Sequence, residues 1–102
     1  MAFRGALMLN GQDNIAVCLE DFGAGNHVEV RLGEEAFVIE ATEDIPCGFK
    51  IALEDIPPGC LILKFGEPIG VASVAISKGQ QAHVHNIEGA RGRGDLAGGG
   101  AA

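Results

Sequence analysis

The stretch "DIPCGFKIALEDIPPGCLI", residues 44 to 62, carries one pattern twice, eleven residues apart. Each copy runs aspartate, isoleucine, proline, a spacer and glycine, and then opens an apolar run. Looser copies occur at "DFGAGNHV" (21–28) and "AISKGQQA" (75–82). The glycine of each copy (Gly25, Gly48, Gly59, Gly79) suits the positive-φ position of a tight turn. Pro46 and Pro57 are expected to pre-set φ at the turn's second position, and Asp21, Asp44 and Asp55 to bond forward to the turn's own amides. These residues are read as turn chemistry, not as reactive groups.

Between the turns lie short alternating or β-branched runs: 14–20, 27–32, 36–41, 49–53, 60–65, 69–76 and "AHVHNI" at 82–87. No window sustains apolar residues at helical spacing beyond two turns, so the chain reads as all-β with at most one helical turn. Seven or so brief strands point to a single domain with a barrel-like or pseudo-barrel sheet. Six of the last fourteen residues are glycine. Residues 1–88 are therefore expected to fold and 89–102 to form a flexible tail.

A domain of that size buries roughly 60–65% of its unfolded surface. That builds one modest core but not a deep cleft with a full catalytic set, so any catalysis calls for a partner. The 102-residue chain has 14 acids against 7 bases, a net charge of −7, and no basic patch to displace counterions. That balance argues against nucleic-acid and anionic-membrane binding. Three cysteines without C-x-x-C spacing (Cys18, Cys47, Cys60) argue against a disulfide framework and for a reducing cytoplasm. The N-terminal apolar stretch is too short for a membrane span and lacks a leader's cleavage pattern.

"HVHN", residues 83 to 86, is the main candidate site. On a strand, i and i+2 share a face, so His83 and His85 would converge on one point with Val84 turned inward. Two imidazoles can grip a divalent metal, but even an open catalytic site has three protein ligands. A metal there would be shared with a partner. Alternatively, His83, His85 and Asn86 hydrogen-bond a ligand's hydroxyls or carboxylate, and Asn86 equally suits a strand-end turn. Lys50 can serve as a point charge for a carboxylate or lie solvated with its stem over apolar surface. Glu67 can act as a base or bond turn amides, and Asp13 and Asn14 suit an Asx turn. The "GRGD" at 92–95 is taken as chance.

The order of "KIALEDIPPG" (50–59), "FGEPIG" (65–70), "ISKG" (76–79) and "HVHN" (83–86), with "DNIAVCLEDFGAG" (13–25) upstream, resembles the SAF domain of the altronate and galactarate dehydratases. That domain also occurs as the small subunit of altronate dehydratase-like enzymes and sulfolactate sulfo-lyases. The resemblance implies a β-clip fold and a role beside a large lyase subunit that eliminates water, or sulfite, from a hydroxylated carboxylate. It implies a sugar-acid or sulfolactate-type substrate and a divalent metal, Fe(II), held mainly by the large subunit. It leaves self-association open. One departure stands out: where the family usually has histidine before the Lys-Ile-Ala triplet, this chain has Phe49. The alternative is a non-catalytic β-clip module that binds a carbohydrate acid or a protein; surface binding of the antifreeze kind fits poorly with the charge.

Overall fold

Four copies of one turn organise the backbone of the computed structural model, which describes residues 5–83 and 85–89. Each turn closes by a backbone bond across its ends: Asn26 N–H to Gly23 O, Phe49 to Pro46, Cys60 to Pro57 and Gln80 to Ser77, at 2.9–3.2 Å. The third residue of each is the glycine, with φ of 89° (Gly25), 89° (Gly48), 86° (Gly59) and 88° (Gly79). Positive φ costs glycine nothing and other residues a good deal, which is why the pattern was readable. Pro46 and Pro57 differ from expectation. They occupy the first turn position, leaving Cys47 and Pro58 at the second.

The turns work in pairs. Phe22 and Ile45 exchange two backbone bonds (2.9 and 2.8 Å), as do Ile56 and Ile76 (2.7 and 2.9 Å). The aspartates reach across each pair rather than forward within their own turn. Asp21 Oδ1 accepts from Cys47 N–H (2.8 Å), Asp44 Oδ1 from Ala24 N–H (2.9 Å), and Asp55 Oδ1 from Lys78 N–H (2.9 Å). The fourth equivalent position is Ala75, and the amide it would serve belongs to Pro58, which has no N–H. A second rule follows the same logic. Gly23 and Ser77 open their turns with a free N–H, accepted by Asn26 Oδ1 (2.7 Å) and Gln80 Oε1 (2.8 Å). Where proline opens the turn, the residue after the glycine need not be an acceptor, and Phe49 and Cys60 stand there.

Nine strands connect these turns: β1 (Ala6–Met8), β2 (Ile15–Cys18), β3 (His27–Leu32), β4 (Glu35–Glu40), β5 (Lys50–Ala52), β6 (Leu61–Lys64), β7 (Glu67–Ala72), β8 (Gln81–Ala82) and β9 (Ile87–Glu88). No helix occurs among the described residues. The fold is all-β, a β-clip, but the strands form two open sheets instead of a closing barrel. The larger has the order β4-β3-β1-β2-β5-β8 and the smaller β6-β7-β9. β1 pairs parallel to β3, and every other pairing is antiparallel. The run expected at 82–87 is broken: β8 ends at Ala82 and β9 begins at Ile87. The expected inward-facing Val84 and the tail beyond Gly89 lie outside the described residues.

The middle of the large sheet is buried on both faces. Ala16, Cys18 and Ile51 join a core with Val28, Val30 and Ile45, while Ile15, Ala52 and Ala82 join a second with Ile56, Ile62 and Ile76. Two-sided burial explains why β2 reads "IAVC" without alternation. β3, buried on one face, alternates as "HVEVRL". The smaller sheet contributes Ile62 and Ala72 to the second core. The two sheets meet where β2 lies against β6, and β5, β8 and β9 border the same second core through Ala52, Ala82 and Ile87.

Candidate functional site

At that seam lies a cavity of about 240 Å³ lined by Lys50, Ile69, His83, Ile87, Glu88 and Gly89. Lys50 opens β5, opposite Val17 on one side and Ala82 on the other. Ile69 is the extra residue of a bulge, since Ile62 pairs with Gly70 but Leu63 with Pro68. Bulges re-aim side chains, and this one turns an isoleucine toward the cavity. Ile87 and Glu88 form β9, which fits against β7 because residue 70 is glycine. A Cβ there would meet the Glu88 carbonyl oxygen, and Ile87 Cγ2 at 2.7 Å.

His83 is placed by a four-residue turn that replaces the expected strand. Asn86 N–H donates to His83 O (3.0 Å), and Asn86 Oδ1 accepts from His83 N–H (2.9 Å). Asn86 Nδ2 donates to Gln81 O (2.8 Å), and the residue is only 1% exposed. Asn86 thus builds the turn and presents no side-chain atom to a ligand. Same-face strand geometry does not hold for the two histidines: His83 is half-buried in the cavity wall, whereas His85 is exposed and absent from it.

The His83 ring lies on Phe49, with centroids 4.1 Å apart and planes tilted by 30°. Its Nδ1 is buried without a hydrogen-bond partner. A metal-bound histidine ordinarily ligates through one nitrogen and donates its other N–H to an acceptor. His83 has no such acceptor. Among the described residues no group of three or more His, Cys, Asp or Glu is arranged to hold a metal ion. An Nδ1 without an acceptor ill suits His83 to ligate a metal through Nε2.

Burial lowers the pKa of Lys50 from its ordinary value, and Lys64 adds to the shift. Among the described residues no carboxylate is bridged to Lys50, although Glu88 lines the same cavity. Glu67 lies elsewhere, exposed at the head of β7 opposite Lys64. The neighbouring hairpin amide, Gly66 N–H, donates to Asp13 Oδ1 at 2.7 Å. Asn14 clamps the smaller sheet, accepting from Leu63 N–H (2.8 Å) and donating to Leu61 O (2.9 Å). Asp13 and Asn14 are therefore structural ties between the turn after β1 and the β6–β7 hairpin. His27 pairs with Glu40 and borders a separate groove with Lys78.

Sequence reasoning found Lys50 and His83 but missed Ile69, Ile87 and Glu88. Pro68 and Gly70 inside a strand were the available signal for the bulge.

The family model for the altronate/galactarate dehydratase SAF domain matches residues 4–90. Among curated proteins, the chain is 41% identical over 82 residues to an altronate dehydratase of Bacillus subtilis, covering 80% of this chain and 16% of that protein. It is 35% identical over 80 residues to an altronate dehydratase of Escherichia coli, covering 78% and 15%. A galactarate dehydratase (L-threo-forming) of Escherichia coli is 36% identical over 73 residues, covering 72% and 13%. The chain spans about a sixth or less of the curated relatives it matches.

Proposed function

We propose a function from this premise: the chain belongs to the altronate/galactarate dehydratase SAF-domain family. It serves as the small subunit of a sugar-acid dehydratase, completing the active site of a separate large lyase subunit that eliminates water from a hydroxylated carboxylate. The observation that carries this reading is the seam cavity, where Lys50 and His83 meet two isoleucines. The relatives' much greater length supports a division of labour in which most catalytic groups lie outside this stretch.

In such an elimination a base removes the proton α to the carboxylate, the electron pair forms the new C=C bond, and the β-hydroxyl takes a proton from a general acid and leaves as water. Negative charge grows on the substrate carboxylate as the proton departs. A preorganised ammonium such as that of Lys50 stabilises that charge without solvent reorganisation. Ile69 and Ile87 exclude water and strengthen the interaction. Iron would be held mainly by the large subunit and would supply Lewis acidity there. The setting is the cytoplasm, and no helix among the described residues is long and apolar enough to cross a membrane.

The test is reconstitution. Large subunit alone, with wild-type chain, and with Lys50→Met is assayed on altronate and galactarate. Turnover is expected only with the chain, and Lys50→Met is expected to lower kcat/KM by about 10²-fold, the scale for losing one charge-stabilising group. Full turnover by the large subunit alone would sink the proposal.

A further inference from the structure

We infer that Lys50 and His83 form a carboxylate-binding site complete within this chain, with the ammonium and an imidazole Nε2–H as its donors, and that the site takes no metal ion. The inference deepens the proposed dehydratase role, and rests on it only for which carboxylate arrives.

The first leg is the imidazole. Neutral histidine carries one proton, on Nδ1 or Nε2. Here Nδ1 is buried with no partner, while Nε2 is not a buried orphan and belongs to a ring that lines the cavity. Placing the proton on Nδ1 would bury an N–H with nothing to accept it, and orphaned donors are rarer in folded proteins than orphaned acceptors. The proton therefore sits on Nε2, which becomes a donor facing the cavity. Ligation of a metal through Nε2 needs the opposite tautomer, and ligation through Nδ1 is closed by burial. The Asn86-capped turn fixes the backbone of His83, and the Phe49 face sets the plane of its ring.

The second leg is Lys50. It stands on a different element, β5, yet lines the same cavity, and no anion is bridged to it among the described residues. Glu88 also lines the cavity but is not bridged to Lys50, and a half-buried ammonium without a bound counter-ion recruits one. One fixed neutral donor and one cation match the two oxygens of a carboxylate. The volume of about 240 Å³ falls below the ~300–1,000 Å³ of drug-sized ligand sites, so the cavity receives one carboxylate-bearing end. Ile69 and Ile87 provide the walls for its first carbons.

The experiment uses the full 102-residue chain, ¹⁵N-labelled, with D-glycerate and Co²⁺ as separate probes. Long-range ¹H–¹⁵N spectra are expected to show His83 as the Nε2–H tautomer. D-glycerate should shift the His83 Nε2 and Lys50 side-chain signals saturably. Affinity should fall at least about tenfold in Lys50→Met and in His83→Ala, as for loss of a charge-assisted or buried donor. It should stay within about threefold in His83→Gln, whose amide keeps a donor near Nε2. Backbone spectra of each variant report whether it is folded. An Nδ1–H tautomer, selective broadening of His83 by stoichiometric Co²⁺, absence of saturable glycerate binding, or unchanged affinity in folded Lys50→Met would each overturn the inference. Failure of the dehydratase role appears instead as large-subunit turnover that needs no partner, a result that leaves the glycerate titration untouched.

Discussion

Asp13 shows how far a single buried carboxylate reaches. It is 6% exposed and accepts three backbone N–H groups, from Leu9 and Asn10 at 3.1 Å and from Gly66 at 2.7 Å. Those donors lie on both sides of the sheet junction, so removing the acceptor strands them in two places. Asp13→Ala should cost about 2–4 kcal/mol, the scale for losing charge-assisted bonds to a buried acceptor. Urea titration would show a lower midpoint at unchanged slope; a loss below the ~0.5 kcal/mol typical of surface changes would contradict the tie. Cys18 is a second residue whose role is set by surroundings. Burial, with smaller contributions from Cys47 and Glu20, pushes its thiol from 9.0 up to about 12. The folded state thus holds this proton longer than the unfolded chain does. Stability from this residue is intact below about pH 9 and declines as pH rises from there towards 12. At pH 8 an alkylating reagent should label Cys47 and Cys60, both exposed, and reach Cys18 only after unfolding. Rapid native labelling of all three would show that the core around β2 is open. The sequence revealed which residue types matter at this scale, but not that Asn86 faces inward and His83 into a cavity, since that depends on burial.

At the scale of elements, the turn repeat was legible because glycine at a fixed offset reports local φ, and local geometry is written locally. The pairing of turns was not. Asp21 serves an amide 26 residues away and Asp55 one 23 residues away, and no local signal names the partner. The break at 83–86 was hidden for a related reason. Period-two reading presumes a continuous strand, whereas the Asn86 side chain offered the backbone a competing set of bonds. β1 was missed because three residues are too few to show a period. The pairing logic predicts a specific rescue. Pro58→Ala creates an N–H at the one paired position that has no aspartate opposite. Ala75→Asp places a carboxylate there. Combined, they should couple favourably by about 0.5–1 kcal/mol in a double-mutant cycle, as expected for one turn cap. Additive effects would mean the aspartates act only within their own turns.

For the whole molecule, the decisive feature is that the site spans two sheets that share no strand. Lys50 belongs to the large sheet, Ile69, Ile87 and Glu88 to the small one, and His83 to the turn that carries the chain between them. The cavity exists only while β9 stays on β7, which Gly70 permits. Gly70→Ala sets a methyl against the Glu88 carbonyl and Ile87. Overpacking of this kind costs about 1–3 kcal/mol, which in a domain this small lowers Tm by about 5–20 °C. Gly89→Ala, with nothing within 4 Å, is the matched control and should leave Tm nearly unchanged. The location of the damage is more informative than its size. Ser73 N–H donates to Asn86 O at 3.0 Å, extending the β7–β9 pairing, so amide exchange in Gly70→Ala should accelerate at Ser73, His83 and Asn86 and spare β3 and β4. D-glycerate affinity should fall in step, because the two donors lose their fixed separation. Equal acceleration in β3 and β4 would show that the sheets open as one unit, and that the seam is not an independent hinge for the site.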